Sequence, residues 1–447
     1  MNYENSVLPW ALTGITDEKA VRFATFGYDS SGRAITTEHS GGVDKYQTVY
    51  AVPPQIVVTE NWDSSSNITY RLFEWQLPVG LSVTDPLGSS SSLGTAIISG
   101  QPRLSSRSQP AGSGCGASTS SQVYDANGNV ASTDDFDGNR SCYANDLSRN
   151  LETSRVEGLS NTAVCSSLTP AGVTLPASSR KVSTQWHPDW RMQAKVAEPL
   201  KLTSWIYNGQ PDPFDGNAVA SCAPSTALLP DGKPIVVLCK QVEQATTDAD
   251  GHLGLSAVLQ AGVPSRVQSW TYNQYGQVLT AKGPRSDVND TTVYTYYSDT
   301  TADHTMGDLA TLTNALGQTT QYTQYNKAGK LLHSLDANAV VTDNVYDLRQ
   351  RLTSSTVGGL QTQYGYDPVG QLIKLTLPDG TFYGYTYDDA HRLTQITDQA
   401  SNSITYTLDN AGNRTLDQVK DPQGNLSRTV SRAFDALGRV QQSTGAR

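Results

Sequence analysis

From Thr381 to Tyr387 the side chains alternate, so that Tyr383, Tyr385 and Tyr387 share one face. Ser403 to Leu408 does the same with Ile404, Tyr406 and Leu408. A period of two predicts extended strands. Such runs end on an aromatic residue and then a short polar phrase: Asp or Asn, two variable residues, Gly and a further polar residue. The next run begins at Leu331, Leu352, Leu372, Leu393 or Val440. An Asp side chain accepts hydrogen bonds from nearby amides, and Gly enters the left-handed region without strain. The pattern therefore predicts strand, tight turn and strand, repeated.

The clearest copies are Tyr272-Asn273-Gln274-Tyr275-Gly276, Tyr325-Asn326-Lys327-Ala328-Gly329 and Tyr366-Asp367-Pro368-Val369-Gly370. Degenerate copies are Tyr346-Asp347, Tyr387-Asp388, Leu408-Asp409 with Gly412, and Phe434-Asp435 with Gly438. From 325 onward the aromatic positions are spaced by 21, 20, 21, 21 and 26 residues. A second turn closes each unit, as at Pro378-Asp379-Gly380, Asp398 to Asn402 and Asp421 to Asn425. Two strands of about five or six residues with two turns fill a period near 21. One hairpin cannot bury its apolar face alone, so neighbouring units must extend a common sheet. Earlier copies are sparser: Tyr28-Asp29-Ser30-Ser31-Gly32, Tyr124-Asp125-Ala126-Asn127-Gly128 and a shortened Phe136-Asp137-Gly138. Ser89 to Ser92 and Arg103 to Ser121 read as Ser- and Gly-rich loops, and residues 208 to 240 as a Pro- and Gly-rich insertion. The chain divides into an N-terminal β-rich segment at 1–114, sparse copies with irregular loops at 115–262, and the regular array at 263–447.

Composition supports an almost helix-free fold. No Glu follows Glu243, and 14 of the 22 Tyr lie beyond it. Glu favours helix interiors, whereas Tyr, Thr and Val suit pleated strands. Charged residues make up 17% of the 447, with a net charge of −10 and no basic block, which disfavours nucleic-acid binding. No apolar run is long enough for a membrane-spanning helix, and Met1 to Trp10 lacks the layout of a secretory signal.

The phrase Tyr-Asp-x-x-Gly-[Arg/Asn/Gln]-[Leu/Val] resembles the tyrosine–aspartate (YD) repeat of bacterial RHS (rearrangement hotspot) proteins and of teneurins. About nine copies carry the resemblance. Trp186-His187-Pro188-Asp189-Trp190-Arg191, Pro9 to Ile15 and Tyr207 to Phe214 resemble connectors of proteobacterial RHS proteins, so the resemblance covers nearly the whole chain. It implies an all-β fold: an antiparallel ribbon of hairpins spiralling into part of a hollow shell. It also implies a non-catalytic wall that, in a complete protein, encloses a C-terminal toxin used in bacterial competition. The alternative is an extracellular carbohydrate-binding or cell-surface adhesion module. Partners would be toxin cargo or a surface glycan or protein, and the location secreted or cell-surface. The toxin-bearing members' late Asp-Pro- and Gly-rich segment is not matched: Asp421-Pro422-Gln423-Gly424 and Asp85-Pro86-Leu87-Gly88 sit inside the array and read as turns. The chain thus looks like an interior piece of a shell or a truncated product.

Candidate chemistry is sparse. The six His stand in no metal-ligand or triad spacing, so neither metal nor cofactor is expected. His391 takes the place of a turn Gly. Asp134, Asp135 and Asp137 lack the closing Glu of a calcium loop and read as an acidic turn. Among five Cys, Cys222 and Cys239 are the best placed for a disulfide, because turn-rich sequence can fold that insertion back; buried free thiols are the other reading. The Tyr columns read either as exposed stacking surfaces or as a buried cross-strand ladder, the repeated depth favouring the ladder.

Overall fold

The computed structural model describes residues 1–50, 55–63, 68–76 and 80–446. The fold is all-β, a long antiparallel sheet in which strand after strand pairs with its neighbour in sequence. Among the described residues, helix is confined to one turn at Cys165–Leu168 and two 3-10 turns, Ser40–Gly42 and Gly254–Ser256. None of these is long and apolar enough to cross a membrane. The absence of Glu beyond Glu243 and the abundance of Thr and Tyr there are thus expressed as strands.

The residues form two compact units, 1–138 with 363–447, and 139–362. In the second unit most of the fully buried apolar side chains sit between 142 and 242, around Cys142, Val156, Leu159 and Leu175. The strand Leu151–Ser160 buries Leu151, Ser154, Val156 and Leu159, with bulges in its pairing to Asn139–Asp146 interrupting strict alternation. The regular array differs. Leu309–Thr313 and Leu393–Asp398 hold half-buried side chains throughout. A single sheet layer shields both faces partly and neither fully.

In the first unit, segments remote in sequence pack together: residues 17–44 and 112–115 lie against the turns of the last repeats, as set out below. Two loop readings are corrected. Gln101–Gln109 and Ser118–Tyr124 are strands paired antiparallel, and Ser90–Ile98 is a strand beginning within the Ser run. Ser and Gly content suggested loops there, but alternate pairing partners override a weak propensity. The shortened copy at Phe136 is also re-centred: the turn's acceptor is Asp135, whose carbonyl takes the Gly138 amide and whose Oδ1 takes the Asp137 amide.

Candidate functional site

The recurrent unit is a five-residue loop closed by one aspartate. At Asp347 the backbone N–H donates to the Arg351 carbonyl, and the Gln350 N–H donates back to the Asp347 carbonyl. The carboxylate does the rest. Its Oδ1 accepts the amides of Arg349 and Arg351 at 2.9 and 3.0 Å, and its Oδ2 accepts Arg351 Nε at 2.7 Å. The same geometry recurs at Asp29 with Arg33, Asp388 with Arg392 and Asp435 with Arg439. At Asp125 and Asp409 the fifth residue is Asn, donating its side-chain amide to the carboxylate. At Asn273 the first residue is itself an amide, donating to Gln277 Oε1 at 2.8 Å. At these copies a carboxylate pairs with a donor and an amide with an acceptor; at Asn326, where Lys330 follows the Gly, the amide donates to Gln350 Oε1 instead.

The fourth loop position has positive φ: 77° at Gly32, 81° at Gly128, 78° at Gly276, 73° at Gly329, 99° at Gly370, 82° at Gly412 and 72° at Gly438. Gln350 and His391 take the same conformation at 62° and 63°. Most of these loops are flanked by a bulge that pairs the aromatic residue with the aliphatic one six places on, as Tyr325↔Leu331, Tyr346↔Leu352 and Phe434↔Val440; at the Asp409 loop the pair is Leu408↔Arg414. In several units the second turn is the same loop without its aromatic: Asp398 bonds to Asn402 and Asp421 to Asn425 in identical fashion, with Ser401 and Gly424 at positive φ, whereas Leu377 opens the turn at 377–381 and Gly358-Gly359 form a two-residue turn.

The repeat tyrosines are half-buried, neither a sealed ladder nor a free surface. Their hydroxyls reach back across the sheet to a backbone carbonyl near the start of an earlier strand. Tyr28 donates to Leu12, Tyr124 to Leu104, Tyr272 to Leu238, Tyr325 to Leu309 and Tyr387 to Leu372. Burial raises the Tyr272 and Tyr387 phenols, and pushes Tyr325 up to about 12, with Asp308 adding to the effect. Tyr383, by contrast, is 41% exposed.

In the first unit four successive turns are engaged by the N-terminal segment. Lys19 Nζ lies 2.7 Å from Asp367 Oδ2 and donates to Gln371 Oε1. Asp17 Oδ2 meets His391 Nε2 at 3.0 Å, and Phe23 stacks on the His391 ring. The Asp44 amide donates to the Asn410 carbonyl. The Ser113 amide donates to Asp435 Oδ2 at 2.6 Å, while Arg439 returns a bond to the Ser113 carbonyl. Burial would raise the Asp435 carboxyl, but the amides of Arg439 and Ser113, the Arg439 guanidinium and the Leu437 amide outweigh it and hold it far below the usual range. Sequence reading singled out these turns for their own geometry and gave no sign that a second segment docks on them.

Cys222 and Cys239 are joined, and so are Cys142 and Cys165; Cys115 is a free thiol beside Arg439. The second bridge was not legible, since neither cysteine lies in a distinctive motif. It ties the one helical turn to the buried cluster of the second unit. Asp248, Asp250 and His252 bring three ligand-type atoms within 4.8 Å, a grouping that spacing alone did not reveal. His252 Nδ1 contacts both carboxylates, at 3.1 and 2.6 Å, and the two acids lift the imidazole above its ordinary range. Those contacts make the group a closed ion-pair knot; it could hold a cation only if the ring turned away. Asp134, Asp135 and Asp137 form the turn already described, not a ligand cage.

The RHS Repeat family matches residues 346–381, 366–401 and 387–426. No curated protein matches the sequence. Among solved structures, a TcdB2-TccC3-Cdc42 complex aligns with 92% of this chain at 15% identity and a TM-score of 0.47. The Photorhabdus luminescens Tc holotoxin pore aligns with 91% at 17% identity and a TM-score of 0.43. The chain spans 22% of the length of each. The Asp-closed loops recur through and beyond residues 346–426, the stretch in which this chain is similar to the RHS Repeat family.

Proposed function

We propose that this chain is a non-catalytic wall segment which, in a complete protein, helps enclose and deliver a C-terminal toxin. The carrying observation is the docking of residues 17–44 and 112–115 onto four successive repeat turns. A ribbon of hairpins that meets its own earlier course is the behaviour required of a winding wall. The tyrosine hydroxyls stitch each strand to an earlier one, and the aspartate loops pin every corner. Nearly all the polar side chains that recur with the repeat are spent on this architecture, which supports a scaffold role.

The two disulfides support a secreted or cell-surface location, because such bonds persist in oxidising compartments. The resemblance to RHS proteins supports toxin as the cargo class. The test is protease protection in the longest natural product that carries this sequence. The polypeptide that follows the array should resist protease until denaturant opens the wall. Cleavage at the rate of the free, unenclosed segment would overturn enclosure.

A further inference from the structure

We propose that the second unit carries a divalent metal site of the zinc class, with His252 Nδ1 and one carboxylate oxygen each from Asp248 and Asp250 as its ligands. The three ligand atoms lie within 4.8 Å of one another. The loop that bears them follows the strand Leu238–Ala245 and rests on the start of the strand Arg180–Trp186.

The observation that points to an ion is a buried carboxylate oxygen with nothing to bond. A ring nitrogen carries at most one hydrogen. His252 Nδ1 shares its hydrogen with Asp250 Oδ1 at 2.6 Å. Asp248 Oδ1 stands 3.1 Å from the same nitrogen and receives none. Asp248 is 2% exposed, and its Oδ2 is served by the Leu253 amide at 2.9 Å. Lys181, the buried cation nearby, spends its ammonium on the Thr169 and Pro170 carbonyls and reaches Asp248 only through a longer-range attraction. An unserved charge at that depth is costly. One divalent ion among the three atoms replaces the single shared hydrogen and serves all of them.

The main chain holds the ligands ready. Each ligand residue has its own carbonyl fixed by an amide of another segment: Asp248 by Leu200, Asp250 by Lys181 and His252 by Gly172, all at 2.8 Å. Gly251 has φ 79°, and a Cβ there would sit 2.1 Å from the Lys181 carbonyl oxygen, so the loop is pressed onto that strand. Zinc takes nitrogen and oxygen ligands at about 2.0–2.2 Å in a tetrahedron, which sets the ligand atoms about 3.3 Å apart. The Asp248 contact is already near that separation. The Asp250 contact must open by about 0.7 Å, and the His252 ring, whose side chain is 33% exposed, turns outward to admit the ion and then closes on it. Water completes the fourth position on that exposed side. Calcium and magnesium favour all-oxygen sites, so the imidazole selects against them. The ion ties the loop at 248–252 to the strand beneath it. The site is separate from the repeat turns, so this assignment and the enclosure reading stand or fall independently.

The experiment strips the intact, disulfide-bonded chain with chelator and titrates it calorimetrically with zinc chloride, with calcium and magnesium chlorides in parallel. One zinc per chain should bind at least tenfold more tightly than either and raise the melting temperature. X-ray absorption at the zinc edge should show nitrogen and oxygen ligands and no sulfur. His252→Gln and Asp250→Asn alter partly exposed side chains, and each should weaken binding by at least about tenfold. His333→Gln, at a surface imidazole paired with Asp343, should leave binding unchanged. Absence of zinc binding overturns the assignment, as does binding that both loop variants retain. A sulfur ligand overturns it too, and places the ion at Cys115, the free thiol. The edge spectrum of the parent chain decides the ligand set even if a variant fails to fold.

Discussion

The loop's fourth residue shows how one backbone angle governs choice of side chain. Gly is used at most copies because a Cβ at positive φ costs about 1–2 kcal/mol. Ala339 sits there instead, at φ 62°, in an exposed loop closed by Asp336. Replacing it with Gly removes that strain but adds backbone freedom to the unfolded chain, so Ala339→Gly should stabilise by a net ~0.5 kcal/mol. Gly370→Val should act the other way, by about 1–3 kcal/mol, since Val is both chiral and β-branched. Denaturant midpoints at equal slope measure both, and an unmoved midpoint for Gly370→Val would contradict the assigned loop. The tyrosine hydroxyl is the next lever. Tyr325→Phe keeps the ring and removes the bond to Leu309, which should cost about 1 kcal/mol. Aromatic, Asp and Gly were visible in the sequence because each recurs as one letter. The donor at the fifth position was visible only as "polar", since Arg, Asn and Gln solve the same problem with different atoms.

Strands were legible where alternation is strong and turns frequent, as from Leu309 to Leu408. They were not legible at Gln101–Gln109, where Ser and Arg replace the aromatic and β-branched residues and only pairing with neighbouring strands holds the extended form. At Asp336, Asp398 and Asp421 the far end of the hairpin repeats the same Asp-closed loop without its aromatic, so the two turns do not look alike in the sequence. Disulfides act at this scale too. Cys222–Cys239 closes a 17-residue span and Cys142–Cys165 one of 23. Each should stabilise the second unit by roughly 3 kcal/mol through loop closure. Reductant should therefore lower the melting temperature of that unit, and thiol titration of the unfolded, unreduced chain should find one free cysteine, Cys115. Five titratable thiols in protein purified without reductant would remove both bridges and, with them, the support for an oxidising compartment.

At the scale of the molecule the repeat turns one local rule into a collective pH response. Asp29, Asp347, Asp367 and Asp435 are all held below the usual carboxylate range, because the turn amides and cationic partners outweigh burial where it opposes them. A depressed folded pKa means that the unfolded state takes up protons first as pH falls. Stability is then fully present above about pH 5 and declines below about pH 4, through the unfolded carboxyl pKa and on toward the folded one. The tyrosines give the opposite limb. The Tyr325 phenol is raised to about 12, and Tyr272 and Tyr387 are raised as well. An unfolded Tyr loses its proton near pH 10, so the folded state binds more protons above that point and stability falls as pH rises. The expected profile is a plateau between two declining limbs, each built from many copies of one group. Two substitutions separate the sources. Asp435→Asn should lower the plateau and flatten the acid limb, because the amide cannot match the carboxylate against Arg439 and the Ser113 amide. Tyr325→Phe should flatten the alkaline limb and leave the acid one unchanged. Equilibrium unfolding across pH 2 to 12 measures both. An acid limb indifferent to Asp435→Asn would show that the turn carboxylates do not carry the response, and that the docking of residues 112–115 on the last repeat is not held by this charge.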